Sequence, residues 1–590
     1  MQFTIEKKVK LIRDWLKKNN LDAIIIPHEN EFLCEYVPAN HERLLWATGF
    51  TGSSGFAVIS ENQAAIFVDG RYTVQVKQQV PNSVFDYCSI PTDTITEWLL
   101  NNLAKNSKIA IDPKVHSISW VKSTESLISD NLSFINISEN PIDYFWEDKP
   151  SQANTVTRHL PESITGQSSN EKIQYISTFI KDKKLDLFII SQLESIAWIL
   201  NLRGNDIPCL PVIFSHLIID KSGMAHFFVK ADLINQIKNY DFKTKITIHD
   251  VNDYARFLSS LKDLNIGVDP LTCNQWTQNQ LTNNNINHVE DPTIHRKAIK
   301  NKTEIEGFKK SHLNDGIALV KFFSWLEQSI SNKKILNEDT LSKKLWSFRK
   351  ENKDCIEPSF DTISAAGPNA AMCHYNHLNS DNPSKLPENG LYLLDSGAQY
   401  LYGTTDVTRT IAIGKPTQKM IDAYTLVLKG HISVSKSLFP KGTSGSQIDT
   451  FARQYLWEYG LDFAHGTGHG VGHFLNVHEG PQRISKLSNV PLETGMVVSN
   501  EPGYYLENEF GIRIENLEVV VEKENKGNSI SLGFSSLTKV PLDISLINKD
   551  LLNDEEINWI NDYHADVYNS LEAQLSEELK SWLRIKTKPM

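Results

Sequence analysis

Between Leu391 and Glu515 the chain carries four acids and a histidine run whose types and spacing suit hydrolytic chemistry. "LYLLDSGAQYLYGTTDVTRTIAI" reads as a hairpin: two apolar-rich runs flank a Gly/Gln/Tyr turn, and a turn centred between Tyr400 and Leu401 sets Asp395 directly across from Asp406. "GMVVSNEP" and "GIRIENLEVVV" repeat the device, with a loop centred near Asn508 setting Glu501 against Glu515. Side chains opposed in an antiparallel pair lie about 4.5–5.5 Å apart at Cβ, and like charges there repel. Unpaired carboxylates in otherwise apolar strands are costly to bury, so cations are expected between them.

"HGTGHGVGHFLNVHEGP" lies between the hairpins. His465 and His469 have the spacing of a zincin helix, but Gly466, Gly468, Gly470 and Gly472 interleave them, and each glycine costs roughly 1 kcal/mol in a helix interior. The run is therefore extended chain or loop, and its alternating glycines do not fit a dinucleotide fingerprint. Four carboxylates with one or two imidazoles and no thiolate suit Mn²⁺, Co²⁺ or Zn²⁺ in a two-metal site with bridging carboxylates. The chemistry of such a site is amide hydrolysis, through activation of water and polarisation of the scissile carbonyl. Arg513, two residues before Glu515 and on the same strand face, is expected to pair with one of the ligand carboxylates.

Three blocks must position these residues. "TIEKKVKLIRDWLKKNN" keeps Ile5, Val9, Ile12 and Leu16 on one face, as an amphipathic helix does and a signal peptide does not. The apolar run "LDAIIIP" follows as a buried strand. "EKIQYISTFIKDKKLDLFIIS" repeats the sequence of events, including the Leu-Asp step at Leu185-Asp186, and Trp46 and Trp198 each precede a second strand region. Residues 1–150 and 151–298 therefore read as two copies of one α/β domain, with a polar, proline-containing joint between them. Carrying no catalytic constellation, they are expected to flank and narrow the entrance to the third block, residues 299–590. That block opens on a long helix with a Thr303/Glu306 capping box and Leu313, Ile317 and Val320 on its core stripe. It closes on a structural helix pair anchored by Trp559 and Trp582.

The motifs "DSGAQYLYGTTDVTRT", "HGTGHGVGHFLNVHEGP", "NEPGYY" and "GIRIEN" resemble the pita-bread metallopeptidases, and most closely the three-domain Xaa-Pro aminopeptidases. "SIAWILNLRGNDIP" and "GFTGSSGFAVI…FVDGRYTVQ" extend the resemblance over nearly the whole chain. It implies an α/β fold of two creatinase-like domains and a pita-bread catalytic domain. It also implies two divalent metals, Mn²⁺ first and Zn²⁺ or Co²⁺ as alternatives. Asp395 and Glu501 would serve different metals, Asp406 and Glu515 would bridge, and His469 would ligate one of them. Glu501 would act in addition as base. His374, His465 and His478 match family positions and are candidates for proton transfer and for holding the substrate carbonyl. Two positions depart from the family pattern: His473, a spare ligand or a wall residue, and Cys209, which puts in doubt any middle-domain contribution to the substrate pocket. Trp457 matches a position near a dimer contact, which implies a homodimer.

The 590 residues are 40% hydrophobic and 22% charged, material for several cores. A net charge of −11 gives no footprint for nucleic acid. No apolar run approaches the ~18–20 residues that span a bilayer, so no membrane partner is expected. Six cysteines with no C-x-x-C pair read as reduced thiols of a cytoplasmic protein. The expected substrates are peptides with an Xaa-Pro N-terminus. A prolidase-type dipeptidase is the near rival, and a catalytically dead pita-bread binding module, which would lack the ligands, the distant one.

Overall fold

Helix α1 (Ile5–Lys18) starts at Thr4, whose hydroxyl accepts from the Lys7 N–H, and it buries Val9, Ile12 and Leu16. Each such aliphatic contributes about 1.5–3 kcal/mol when fully buried. The structure is a computed structural model that describes residues 3–523 and 531–590. Two units are separable. One comprises Gln167–Thr293 with the chain up to Glu162; the other comprises Ser163–Gly166 with Ile294–Met590.

The first unit holds two six-stranded sheets. Strands β1 (Ala23–Pro27), β2 (Phe56–Ser60), β3 (Ala64–Val68), β4 (Asp86–Ser89), β5 (Ser107–Ile111) and β6 (Leu132–Asn136) lie in the order 4-3-2-1-5-6. Helix α2 (Ser169–Asp182) leads into β7 (Leu187–Ile190), β8 (His216–Asp220), β9 (Ala225–Val229), β10 (Ile246–Asp250), β11 (Asn265–Val268) and β12 (Asn285–His288). Their order is 10-9-8-7-11-12, the same topology with the same parallel and antiparallel pairings.

The duplication reaches single hydrogen bonds. Asn20 and Lys184, at the ends of α1 and α2, both take positive φ, 54° and 56°. The Leu21 N–H then returns to Leu16 O at 3.0 Å and the Leu185 N–H to Ile180 O at 2.9 Å. Next in line, the Asp22 N–H donates to Lys108 O while its carboxylate accepts from the Lys108 N–H. Asp186 does the same with Asn265. The Leu-Asp step is thus a device that locks the central strand to its parallel neighbour, once in each sheet.

The second unit opens on α3 (Lys302–Ser331), where the expected Thr303/Glu306 capping box does not form. Asn301 is the N-cap: its Oδ1 accepts from the Glu304 N–H, and the Glu304 carboxylate accepts from the Asn301 N–H, each at 3.0 Å. Two x-x-Glu spacings overlap here. Asn caps better than Thr, which sits already inside the first turn. Val320 is buried in the main core, with Leu313 and Ile317 packed against it.

Strands β13 (Ile363–Ala366), β14 (Gly390–Ser396) and β15 (Val407–Ile413) form one antiparallel sheet. Helices α4 (Gln418–Ser435) and α5 (Gly445–Trp457) follow. A second sheet contains β16 (Gly468–Gly470), β17 (Glu479–Ile484), β18 (Val497–Asn500), β21 (Asn516–Lys523) and β22 (Ser531–Ser536). Between β18 and β21 the chain makes a separate hairpin of β19 (Gly503–Leu506) and β20 (Phe510–Arg513).

The terminal helices α6 (Asp554–Leu571) and α7 (Glu577–Lys586) are joined to this frame by side chains. Trp559 stacks on Tyr563 at 5.3 Å, and Trp582 Nε1 donates to Glu327 Oε2 at 2.6 Å. Buried Arg409 donates to Glu515 O at 2.6 Å, Asn516 Oδ1 at 2.8 Å and the Tyr563 hydroxyl at 2.8 Å, fastening α6 to the strands behind the acids. Among the described residues, no helix is long and apolar enough to cross a membrane.

Candidate metal centre

The first hairpin differs in register from the expectation. Tyr400 pairs with Gly403 and Gln399 with Thr404, so the turn is centred one residue later and Asp395 stands opposite Thr408. Asp406 lies two residues up the strand, diagonal to Asp395, still near enough for the two charges to repel. The second hairpin matches its expectation. Gly503 pairs with Arg513 and Asn500 with Asn516, so Glu501 and Glu515 face one another across the gap between two ladders of common register, and Asn508 at the tip takes φ 63°.

The hairpins are stitched together through hydroxyl residues of β15. The Glu515 N–H donates to Thr408 O at 3.2 Å. Thr410 Oγ1 accepts from the Arg513 N–H at 3.1 Å and donates to Arg513 O at 3.0 Å. Thr408 Oγ1 donates to Glu515 Oε2 at 2.8 Å and accepts from Arg513 Nε at 3.2 Å.

His469 enters on extended chain, in keeping with the glycine argument. A Cβ on Gly468 would collide with the Ser499 carbonyl oxygen, and one on Gly470 with that of Glu479. The glycines let β16 run flush between its neighbours. The His469 N–H donates to Ser499 Oγ at 2.9 Å, and that hydroxyl donates on to Glu501 Oε1 at 3.0 Å. His469 Nδ1 lies 3.0 Å from Gly470 O and donates to it, which leaves the Nε2 lone pair facing Asp406 Oδ2 at 3.5 Å and Glu501 Oε1 at 3.3 Å.

Asp406, His469 and Glu515 offer ligand atoms all within 4.8 Å of one another. Burial and the repulsion of Asp395 and Glu501 hold the Asp406 carboxyl well above the usual range. Burial and the repulsion of Asp406, Glu501 and Asp395 do the same to Glu515. Glu501 is pushed up by burial, against the pull of His469 and Arg513. Asp395 Oδ1 and Glu515 Oε1 are buried with no hydrogen-bond partner. Buried carboxyl oxygens without a hydrogen-bond partner, among acids beside an imidazole nitrogen that faces Asp406 and Glu501, fit divalent cations.

Around this group, Arg513 Nη2 donates to Asp395 Oδ2 at 2.6 Å, the pairing expected from the strand face. Arg513 Nη1 donates to the Tyr505 hydroxyl at 2.6 Å, and that hydroxyl lies 2.8 Å from His465 Nε2. His465 Nδ1 bonds Gly466 O at 2.7 Å, so its proton is on Nδ1 and Nε2 accepts from Tyr505. Burial pushes the Tyr505 phenol far up and keeps it a donor. The His478 ring stands edge-on to His469 at 4.5 Å. His374 occupies the turn after the 3-10 segment Gly367–Ala371, half-buried. His473 is buried, 5.8 Å from the Phe308 ring and 3.9 Å from Glu304 Oε1. Cys209 sits in the first unit at φ 66°. Sequence reasoning gave no role to Thr408, Ser499 or Tyr505. Thr408 and Tyr505 had a signal, their places in "DSGAQYLYGTTDVTRT" and "NEPGYY".

Residues 306–522 match the model of metallopeptidase family M24, and 530–590 match the C-terminal region of peptidase M24. Residues 8–143 and 148–304 each match a creatinase/prolidase N-terminal domain. A probable Xaa-Pro aminopeptidase P of Paracoccidioides brasiliensis is 39% identical over 99% of both chains. The chain belongs to the Xaa-Pro aminopeptidase P family. Xaa-Pro aminopeptidase 1 of Dictyostelium discoideum is 37% identical over 99% of this chain and 97% of its own. The crystal structure of X-prolyl aminopeptidase from Caenorhabditis elegans, described as a cytosolic enzyme with a di-nuclear active site, is 33% identical and covers both chains fully at TM-score 0.95. The fold of this Xaa-Pro aminopeptidase family member is therefore two creatinase-like α/β domains followed by a pita-bread domain, and the chain is a hydrolase.

Proposed function

We propose that the chain is a metal-dependent aminopeptidase that releases the N-terminal residue from peptides with proline in second position. The observation that carries this reading is the set of buried acids around His469, with oxygens of Asp395 and Glu515 unpartnered, in a chain matched end to end by Xaa-Pro aminopeptidases. We assign Asp395, Asp406, His469, Glu501 and Glu515 to hold two divalent cations, Mn²⁺ by preference for hard oxygen ligands, with Zn²⁺ or Co²⁺ able to compete. Those cations supply Lewis acidity that activates water and polarises the scissile carbonyl.

The protein's own groups do the rest. Glu501, steadied by the Ser499 hydroxyl, takes the proton of the attacking water on its carboxylate. Arg513 holds Asp395 in place and, through Tyr505, orients His465. His478, beside His469, and His374 are the candidates to hold the carbonyl and return the proton to the prolyl nitrogen. The carboxylates neutralise the substrate's free α-amine. A prolyl imide has no N–H and a fixed φ, so a dedicated pocket is required.

Domain boundaries at 1–150, 151–298 and 299–590, a cytoplasmic location and a homodimer complete the proposal. Trp457, 45% exposed at the end of α5, supports the dimer. The test is hydrolysis of Arg-Pro-Pro beside Xaa-Pro dipeptides, with chelator and with added Mn²⁺. Cleavage of the tripeptide that chelator abolishes and Mn²⁺ restores is expected. Cleavage of dipeptides alone would favour the prolidase reading, and no cleavage with metal would remove the enzyme reading.

A further inference from the structure

Glu479, next to His478 in the chain, forms with Lys297 and Lys300 a buried trio of charges that belongs to no part of the site described so far. Glu479 Oε2 accepts from Lys297 Nζ at 2.7 Å, and its Oε1 accepts from Lys300 Nζ. All three side chains are buried, as is Glu304, whose charge acts on Lys300. Lysine is among the residues least often buried, and a buried ion pair recovers a desolvation cost of several kcal/mol per ion only with good geometry. An apolar trio of the same volume would serve stability as well, so stability alone does not account for these residues. What a fixed trio of charges does supply is placement.

Both lysines come from the segment by which the chain leads into the second unit, Lys297 from the helix Pro292–Ala298 and Lys300 just after it. The segment is strapped down along its length. His295 Nε2 bonds Glu493 Oε1 at 2.8 Å, Ile299 bridges to Met496, and the Lys300 N–H donates to Gly495 O at 2.9 Å. On its other side, Glu479 pairs through its backbone with Gly470, next to His469, and Gly470 has no room for a Cβ against the Glu479 carbonyl. Glu479 is therefore held twice, by the strand that carries His469 and by the two ammonium groups. The peptide unit before it carries His478.

We propose that Glu479 is a positioning residue: clamped by Lys297 and Lys300, it fixes the main chain at 478–479 and so sets the His478 imidazole against His469 and the substrate carbonyl. The proposal rests on the aminopeptidase reading and on the role of His478 within it. Full-length Glu479→Gln keeps the side-chain shape and breaks both ion pairs. Its kcat on Arg-Pro-Pro should fall ~30-fold, since small misplacements of a reacting group cost up to ~100-fold. KM should stay within about twofold, metal content per chain should be unchanged, and amide hydrogen exchange across residues 471–479 should quicken. In a His478→Ala background, Glu479→Gln should lower kcat by less than about twofold, because both changes remove the same contribution.

Lys297→Met, which leaves the Lys300 pair intact, covers the case in which Glu479→Gln does not fold. The same loss in kcat rather than KM, at smaller size, is expected of it. A folded variant with wild-type kcat, a loss carried by KM or by metal content, or multiplicative losses in the double variant would overturn the proposal. Wild-type protein inactive on every Xaa-Pro peptide would strike the functional reading instead, and the exchange rates of residues 471–479 would then decide the clamp by themselves.

Discussion

Asp406→Asn separates charge from shape at the centre of the site. The substitution removes one acid from a group in which Asp395 and Glu501 push the Asp406 carboxyl up, and Asp406, Glu501 and Asp395 push up that of Glu515. Activity should fall by at least ~1,000-fold and metal content should drop, since activation of water depends on the cations. The fold should remain, and the variant should melt above chelator-treated wild type because the remaining acids repel less. Full activity would show that Asp406 is no ligand.

Glu518 offers a second test at this scale, on β21 with its side chain fully buried. Burial pushes it up to about 7, against hydrogen bonds from Ser435 and Asn500. An acid whose folded pKa exceeds its unfolded one, near 4.5, costs stability as pH rises from about 4.5 to 7. Below that window the cost is absent, and above it the cost is constant. Glu518→Gln should therefore be more stable than wild type at pH 8 by up to about 3 kcal/mol, with the gap closing by pH 4.5. Equal melting curves at pH 8 would show that the carboxylate is accommodated.

At the scale of elements, the glycine run decides whether a strand can pass. Gly468→Ala places a methyl group where Ser499 O already is, so β16 must shift away from β18. A loss of about 1–3 kcal/mol is expected, as for overpacking in general, together with weaker metal binding because His469 moves with the strand. Unchanged metal content in a destabilised variant would separate the strand from the site.

Much at this scale was legible in the sequence. The alternating glycines excluded a helix, and the second hairpin's register followed from one turn at Asn508. The first hairpin was placed one residue early because the Gly/Gln/Tyr stretch admits two centres, and only tertiary contacts such as the Thr408–Glu515 bond choose between them. The capping box slipped from Asn301 to Thr303 for the same kind of reason, two overlapping spacings with one favoured by the folded backbone. Thr408 had only its place in a family motif, and Ser499 had no signature at all. A hydroxyl gains meaning here only from the carboxylate it meets, 107 residues away for Thr408 and two for Ser499.

For the whole molecule, the second unit alone contains the ligand group, and among the described residues no other group of three or more His, Cys, Asp or Glu side chains could hold a metal. Calorimetry should therefore show that chelation lowers the unfolding temperature of one transition and leaves the other in place, a shift set by mass action at ~2.7 kcal/mol when free metal is 100 times its Kd. A uniform shift of both would mean that the units unfold as one. The dimer is tested by Trp457→Glu, which should sediment as a monomer where the wild type is a dimer. A monomeric wild type removes that reading.

The interleaved glycines also fix how this protein can vary. In a saturation library selected for growth on a proline-containing peptide, three glycines of the run should be as intolerant as the ligand His469 that lies among them. Gly468 and Gly470, facing carbonyl oxygens, and Gly472, facing the Leu475 side chain, should accept almost nothing. A Cβ on Gly466 would come no nearer than 3.3 Å to any neighbour, the Ser485 side chain, and alanine should be accepted there. Part of the constraint on this run would then fall on residues that have no side chain and take no part in the reaction.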